Sequence, residues 1–252
     1  MKKIILTSAF ICFIGAGAWA LSITDPLFMP QQGAFIADST AEITDNAFKL
    51  GDSFGLKQTI NFGVTDNLSL GASLGWATIR HEHSGMQDPA INARYRFLDG
   101  SEQNLFLDLQ GYISPEAFDS PFNNDGGSAK GSTDFGLHSI VGSTEIAPNF
   151  TFTAQVGFDY IGHTDLLDSG SIWGIGSSAK YYINDVHSIQ ADAALKSYLG
   201  FNGDFGGYGA GINYAWEVMP ETISVVPFAY IEARDNGDSA YKSWGIRLKY
   251  LY

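Results

Sequence analysis

From residue 34 to its end the chain is written in period two. Leu68, Leu70, Ala72, Leu74 and Trp76 alternate with Ser69, Gly71, Ser73 and Gly75. Phe150, Phe152, Ala154, Val156, Phe158 and Tyr160 alternate with Thr151, Thr153, Gln155, Gly157 and Asp159. Tyr208, Ala210, Ile212, Tyr214 and Trp216 alternate with Gly209, Gly211, Asn213 and Glu217. In the last run Trp244, Ile246, Leu248, Tyr250 and Tyr252 alternate with Ser243, Gly245, Arg247, Lys249 and Leu251. Side chains alternate across a strand, so each run predicts a strand with one apolar and one polar face. Twelve such runs are expected, near 34–43, 54–63, 68–79, 89–98, 105–114, 132–143, 150–161, 172–183, 188–198, 207–218, 222–232 and 241–252. The run 222–232 leaves its faces undecided, because Val225 and Val226 are consecutive.

The connections alternate in length. Short turns fall at 64–67, 99–104, 147–149, 184–187 and 219–221, and longer links at 44–53, 80–88, 115–131, 162–171, 199–206 and 233–240. Short turns at one end and long loops at the other are the habit of up-and-down transmembrane barrels. A soluble sandwich has no reason to keep this order. An even strand count places both chain ends on the short-turn side. Run 34–43 is then expected to close against run 241–252, with Asp38 near Lys249 and Glu42 further up the same wall.

Composition agrees with a wall that faces lipid. Aromatic residues are 14% and charged residues only 16% of the chain, against a usual charged share of about 25%. After Ala20 no stretch reaches the roughly 18 apolar residues of a membrane helix, so any crossing must be made by strands, and only a closed sheet satisfies its backbone in lipid. Residues 1–20 read as a secretory signal. Lys2 and Lys3 precede an apolar run from Ile4 to Ala16, and Ala18-Trp19-Ala20 is a small-x-small cleavage site. Residues 21–33, with Pro26 and Pro30, read as a periplasmic lead-in without periodicity, and 34–252 as the barrel. The single cysteine, Cys12, lies in the signal, which leaves no thiol for disulfides or structural metal sites.

Without the signal the chain carries 12 basic against 27 acidic residues. That balance excludes the basic footprint of a nucleic-acid binder. Alternation places Asp38, Glu42, Lys57, Arg94, Arg96, Asp108, Asp134, Asp159, Lys180, Asp192, Lys196, Glu217, Glu232, Arg247 and Lys249 on the lumen side, eight acids and seven bases. A polar path for solute and cross-lumen pairing that partly plugs the barrel both fit, and the near balance favours substantial pairing. The long links carry Asp45, Asp52, Glu82, Asp88, Glu116, Asp119, Asp125, Asp165, Asp168, Asp204, Asp235 and Asp238 against Lys49, Arg80, Lys130 and Arg234. Such a rim raises the local cation concentration over a screening length of about 8 Å, so a weak cation preference is expected.

Two resemblances add to this. Trp244, Ile246, Leu248, Tyr250 and the terminal Tyr252 resemble the last strand of bacterial outer-membrane barrels, which implies an assembly signal read by the barrel-assembly machinery. Asp25 to Pro30 with Gly33, Asn61 to Leu74, Asp88 to Leu98 and Ala147 to Phe150 resemble the outer-membrane family labelled "MetA-pathway of phenol degradation". That second resemblance implies uptake of small aromatic or apolar compounds and no catalytic residues.

Candidate chemistry is sparse. His81 and His83 flank Glu82 at a spacing that could hold a divalent ion, with His163 or Asp88 as a further ligand, but a solvated loop of polar residues is the better reading. Asn123 to Gly127 has a calcium-loop flavour, and Pro121 spoils the signature. His138 and Ser139 are adjacent on a strand, point to opposite faces and cannot act as base and nucleophile for each other, and Ser143 is also of opposite parity to His138. No metal, cofactor or enzymatic activity is therefore expected. The reading is an all-β, up-and-down antiparallel transmembrane β-barrel of about twelve strands in the outer membrane of a Gram-negative cell, in contact with lipid. Its expected function is a narrow channel or transporter for small solutes. The alternatives are a structural or surface-interaction barrel with a plugged lumen, the 115–131 loop being its contact, and an outer-membrane lipid-modifying enzyme.

Overall fold

A computed structural model describes residues 21–45, 52–79, 83–101, 104–118, 131–144, 146–163, 168–201, 203–236 and 240–252. These form β1 (Phe35–Asp45), β2 (Ser53–Thr65), β3 (Leu68–Ile79), β4 (His83–Asp99), β5 (Leu105–Ser114), β6 (Asp134–Ser143), β7 (Phe150–Ile161), β8 (Gly170–Asn184), β9 (His187–Leu199), β10 (Phe205–Met219), β11 (Ile223–Arg234) and β12 (Tyr241–Leu251). Each strand pairs antiparallel with its sequence neighbours, and β1 pairs with β12, so the sheet is a closed barrel. Closure leaves no strand edge unpaired.

Burial is inverted relative to a soluble protein. Leu195 is 65% exposed, Ile175 63% and Tyr208 59%, whereas Asp108 is 0%, Lys180 1% and Glu232 2% exposed. Apolar side chains cover the outside, as lipid requires, and polar ones face in. The undecided run resolves the same way. Val225 points out, while Val226 and Phe228 point in and are buried, Phe228 lying 4.5 Å beneath the Arg247 guanidinium.

The β3–β4 connection differs from the sequence expectation. β4 begins at His83, six residues before the expected start, and the connection expected at 80–88 shrinks accordingly. Proline cannot donate to a ladder, yet β4 runs through Pro89. The register against β3 shifts between Ser73 and Gly75, whose partners are Ala90 and Gln87, so Pro89 sits in a bulge. The short turns follow their sequence chemistry. Pro148 is followed by Asn149 at φ 64° and Pro220 by Glu221 at φ 61°, and backbone bonds Phe150 N to Ala147 O and Thr222 N to Met219 O, both 3.0 Å, close them.

The two chain ends meet at the seam. Phe35 N donates to Tyr252 O and Tyr252 N to Phe35 O, both at 2.8 Å, and the two rings lie 4.9 Å apart. In the seam register Asp38 faces Lys249 and Glu42 faces Gly245. Ala37 faces Tyr250, so cysteines at those two positions should crosslink oxidatively in the native chain. Failure there, with crosslinking between Ala37 and Ile60 of β2, would mean an open sheet. Trp244, Ile246, Leu248, Tyr250 and Tyr252 form an exposed outer stripe on this seam. Deleting Tyr252 removes two closing hydrogen bonds and the ring contact with Phe35. The heat-modifiable, folded fraction in outer membranes should fall sharply, and unchanged assembly would dismiss the terminal-signal reading.

Candidate functional site, a lumen filled from one end

The segment 21–33 does not hang below the barrel. It enters the lumen, where Ile23 and Leu27 are 1% and 0% exposed. It runs through turns closed by Asp25 N to Ser22 O and Phe28 N to Asp25 O, which leave its other carbonyl groups without a ladder, and the wall supplies the donors. Arg94 donates to Phe28 O at 3.3 Å and Pro26 O at 3.1 Å, Arg96 to Leu27 O, and Lys249 to Ile23 O at 3.4 Å. Side chains complete the fastening. Lys180 Nζ donates to Thr24 Oγ1 at 2.5 Å, and Ser22 Oγ donates to Glu217. Thr151 Oγ1 and Tyr182 Oη donate to Asp25 Oδ2 at 2.7 and 2.5 Å, while Leu27 N donates to Asp25 Oδ1 at 2.8 Å. A parallel bridge between Gln32 and Gly63 guides the chain into β1. Gly63 is required there, because a Cβ would stand 1.9 Å from Gln31 O.

Beside this segment lies a fully buried carboxylate with two guanidinium partners. Asp108 receives Arg94 Nε at 2.8 Å, Arg96 Nε at 2.8 Å and Arg96 Nη2 at 2.9 Å. The pair Arg96–Asp108 is in direct register across β4 and β5, and Arg94 stands two residues along the same face. One carboxylate thus orients two forks, and their remaining donors are what hold the Pro26 to Phe28 carbonyls.

A second network lies further along the wall. Glu232 accepts from Lys196 Nζ at 2.7 Å, Tyr198 Oη at 2.6 Å, Tyr230 Oη at 3.1 Å and Arg234 Nε at 3.4 Å. Tyr198 stacks on Phe205 with centroids 4.5 Å apart, and Arg234 lies over both rings. Arg234, expected in a loop, therefore belongs to the wall. Asp192 is held by the amides of Gln190 and Asn213, each at 2.7 Å. Asp159 meets His138 Nε2 at 2.9 Å. Gly157 makes room for that imidazole, since a Cβ there would come within 2.5 Å of Nδ1. Asp134 accepts from Ser132 Oγ at 2.8 Å and Gly162 N at 3.0 Å and ties two loop ends together. Asp38 accepts from Thr40 Oγ1 at 3.0 Å. Glu42 and Lys57 share the inward face by register, opposite Gly55 and Thr40.

Two cavities flank the entering segment. One, of about 190 Å³, lies against β8 to β12 with Lys180, Arg247 and Lys249 in its lining. The other, of about 200 Å³, lies against β1 to β5 with Asp38, Asn61, Asn92 and Arg94 in its lining. Asp25, Pro26 and Lys249 border both.

The remaining sequence candidates scatter. His138 faces in and Ser139 lies on the opposite face of β6. Asp88 is a loop anchor, accepting from Ala117 N at 2.8 Å, Phe118 N at 3.2 Å and Gly131 N at 3.2 Å. His163 stands 3.9 Å from Asp168 on the exposed surface. His81, Glu82, Asn123 to Gly127, and the rim residues Lys49, Arg80, Asp119, Asp125, Lys130, Asp165 and Asp238 lie outside the described residues. Among the described residues no group of three His, Cys, Asp or Glu side chains is placed to hold a metal. Alternation missed the role of Asp25, because it reads only strands. The signal available was local: an acid followed by a proline, in a stretch too short and too irregular to be a wall.

No protein-family model and no curated protein matches the chain. Solved structures do resemble it. The COG4313 outer membrane channel from Pseudomonas putida F1 superimposes with a TM-score of 0.71, at 11% identity, over 92% of this chain and 100% of that one. The KdgM porin gives 0.55 at 9% identity over 85% and 98%. The translocator domain of the autotransporter NalP from Neisseria meningitidis gives 0.52 at 14% identity over 90% and 91%. At these identities the likeness establishes the fold, and the chain has the β-barrel fold of outer-membrane channels and translocators.

Proposed function

We propose that the chain is a narrow channel of the bacterial outer membrane, and that small solutes pass beside the 21–33 segment. The observation that carries this is the pair of cavities, about 190 and 200 Å³, flanking a segment held by hydrogen bonds to a polar wall. Twelve strands enclose far less than an aqueous porin of 16–18, and the segment narrows the lumen further. The aromatic or apolar character of the solute rests on the resemblance to the phenol-degradation family. A second reading, a structural barrel, is favoured by the number of groups that fasten the segment. Planar bilayers separate the two. The purified chain should give small, steady conductance steps. Silence from both the full chain and a chain lacking residues 22–29 would favour the structural barrel.

A further inference from the structure

We infer that the 190 Å³ cavity beside the entering segment is a binding site for a small organic carboxylate, which deepens the channel reading and rests on it. Lys180, Arg247 and Lys249 converge on this cavity from β8 and β12. Each has only neutral partners: Lys180 the Thr24 hydroxyl, Lys249 the Ile23 carbonyl, Arg247 the face of Phe228. None of the three forms an ion pair among the described residues. The carboxylates nearby keep their charge and are oriented by neutral donors, away from direct contact with the cations. Asp25 takes hydrogen bonds from Leu27, Thr151 and Tyr182, Glu217 from Ser22 and the Glu221 amide, and Asp38 from Thr40. Asp25 lines the same cavity and Asp38 faces Lys249 across the seam, but none of these acids stands at ion-pair distance from a cation, so an incoming carboxylate can contact the cations directly. The Arg247 fork suits a carboxylate's two oxygens, and Lys249, two residues along the same face, supplies a second charge.

The rest of the lining selects the body of the solute. Pro26, Ala215 and Val226 give the cavity an apolar side, and its volume lies below the roughly 300 Å³ at which pockets for larger ligands begin. A compact acid with an apolar body fits both features. This constriction, not the acidic rim, then sets ion preference. The rim's field is screened over about 8 Å, whereas a permeating ion passes the three cations in contact. The weak cation preference expected from the rim charges is therefore replaced by an anion preference.

The test uses the full, folded barrel in detergent with benzoate as the probe. Equilibrium dialysis should show saturable binding of labelled benzoate. Arg247→Gln should weaken it about tenfold, the loss of one charged hydrogen-bonding partner. Lys249→Gln should also weaken it, and serves as the second variant should Arg247→Gln lose its heat-modifiable band. Unlabelled benzoate should displace the label at concentrations where inorganic phosphate does not. In bilayers the reversal potential should report anion preference, reduced in either variant. Conductance without saturable benzoate binding, or equal displacement by phosphate, would overturn the site and leave the channel standing. Benzoate binding without conductance would sustain the site and overturn the channel.

Discussion

A chain lacking residues 22–29 should fold and should conduct several-fold more current than the full chain. The barrel's twelve ladders do not include these residues, so closure survives their removal. What is lost is the packing of Ile23 and Leu27 and the hydrogen bonds that wall groups make to the segment. Arg94, Arg96, Lys180 and Lys249 would then face an open lumen and regain water as partner, which limits the stability cost. The cross-section would widen from two separated cavities to one continuous lumen. Single-channel recording measures the change, with heat-modifiable mobility as the check on folding. Equal conductance in the two chains would mean that ions do not pass beside the segment.

Asp108→Ala should be among the most destabilising single substitutions in the wall. The carboxylate is completely buried, and the side chains of Arg94 and Arg96 are only 15% and 8% exposed. Removing one partner of a buried ion pair costs about 3–5 kcal/mol, because the other charge stays behind unpaired. Here two guanidinium groups are left, both close to the carbonyls of Pro26 and Leu27. The denaturation midpoint of the refolded barrel in urea should fall accordingly, and the segment should be released, raising conductance as the deletion does. Asp108→Asn, which keeps an acceptor but loses the charge, should fall between. Adding Arg96→Met to Asp108→Ala should recover part of the loss. A midpoint indistinguishable from the parent chain would show that lumen water compensates both cations.

Much of the architecture is legible because strands in lipid obey one strict local rule. Leu70 and Ser69 must point opposite ways, and lipid on one side makes a one-residue slip intolerable. The same parity placed Asp108, Lys180 and Glu232 on the inner face before their partners were known. Register at the seam was also within reach, since chain ends on the short-turn side pair Asp38 with Lys249. Parity stops at irregularity. Pro89 marks a bulge and not a boundary, because whether an unpaired residue ends a ladder depends on the strand opposite.

The sequence by itself determined strand number, faces and closure, all properties of a periodic wall whose outer solvent is uniform. Only the tertiary structure decided what fills the wall's interior. The fate of residues 21–33 depends on donors contributed by β4, β7, β8 and β12 and on an acceptor contributed by β10, which are separated by up to 226 positions from the groups they hold, as Lys249 is from Ile23. No local pattern records such contacts. Nor does a count of charges reveal where they lie: eight acids and seven bases balance on paper. In space Asp108 takes Arg94 and Arg96, Glu232 takes Lys196 and Arg234, and Lys180, Arg247 and Lys249 stand with Asp25 around one cavity, outside ion-pair distance of it. Electrostatic energy falls with distance, so function follows from the arrangement of the charges, which closure of the barrel imposes.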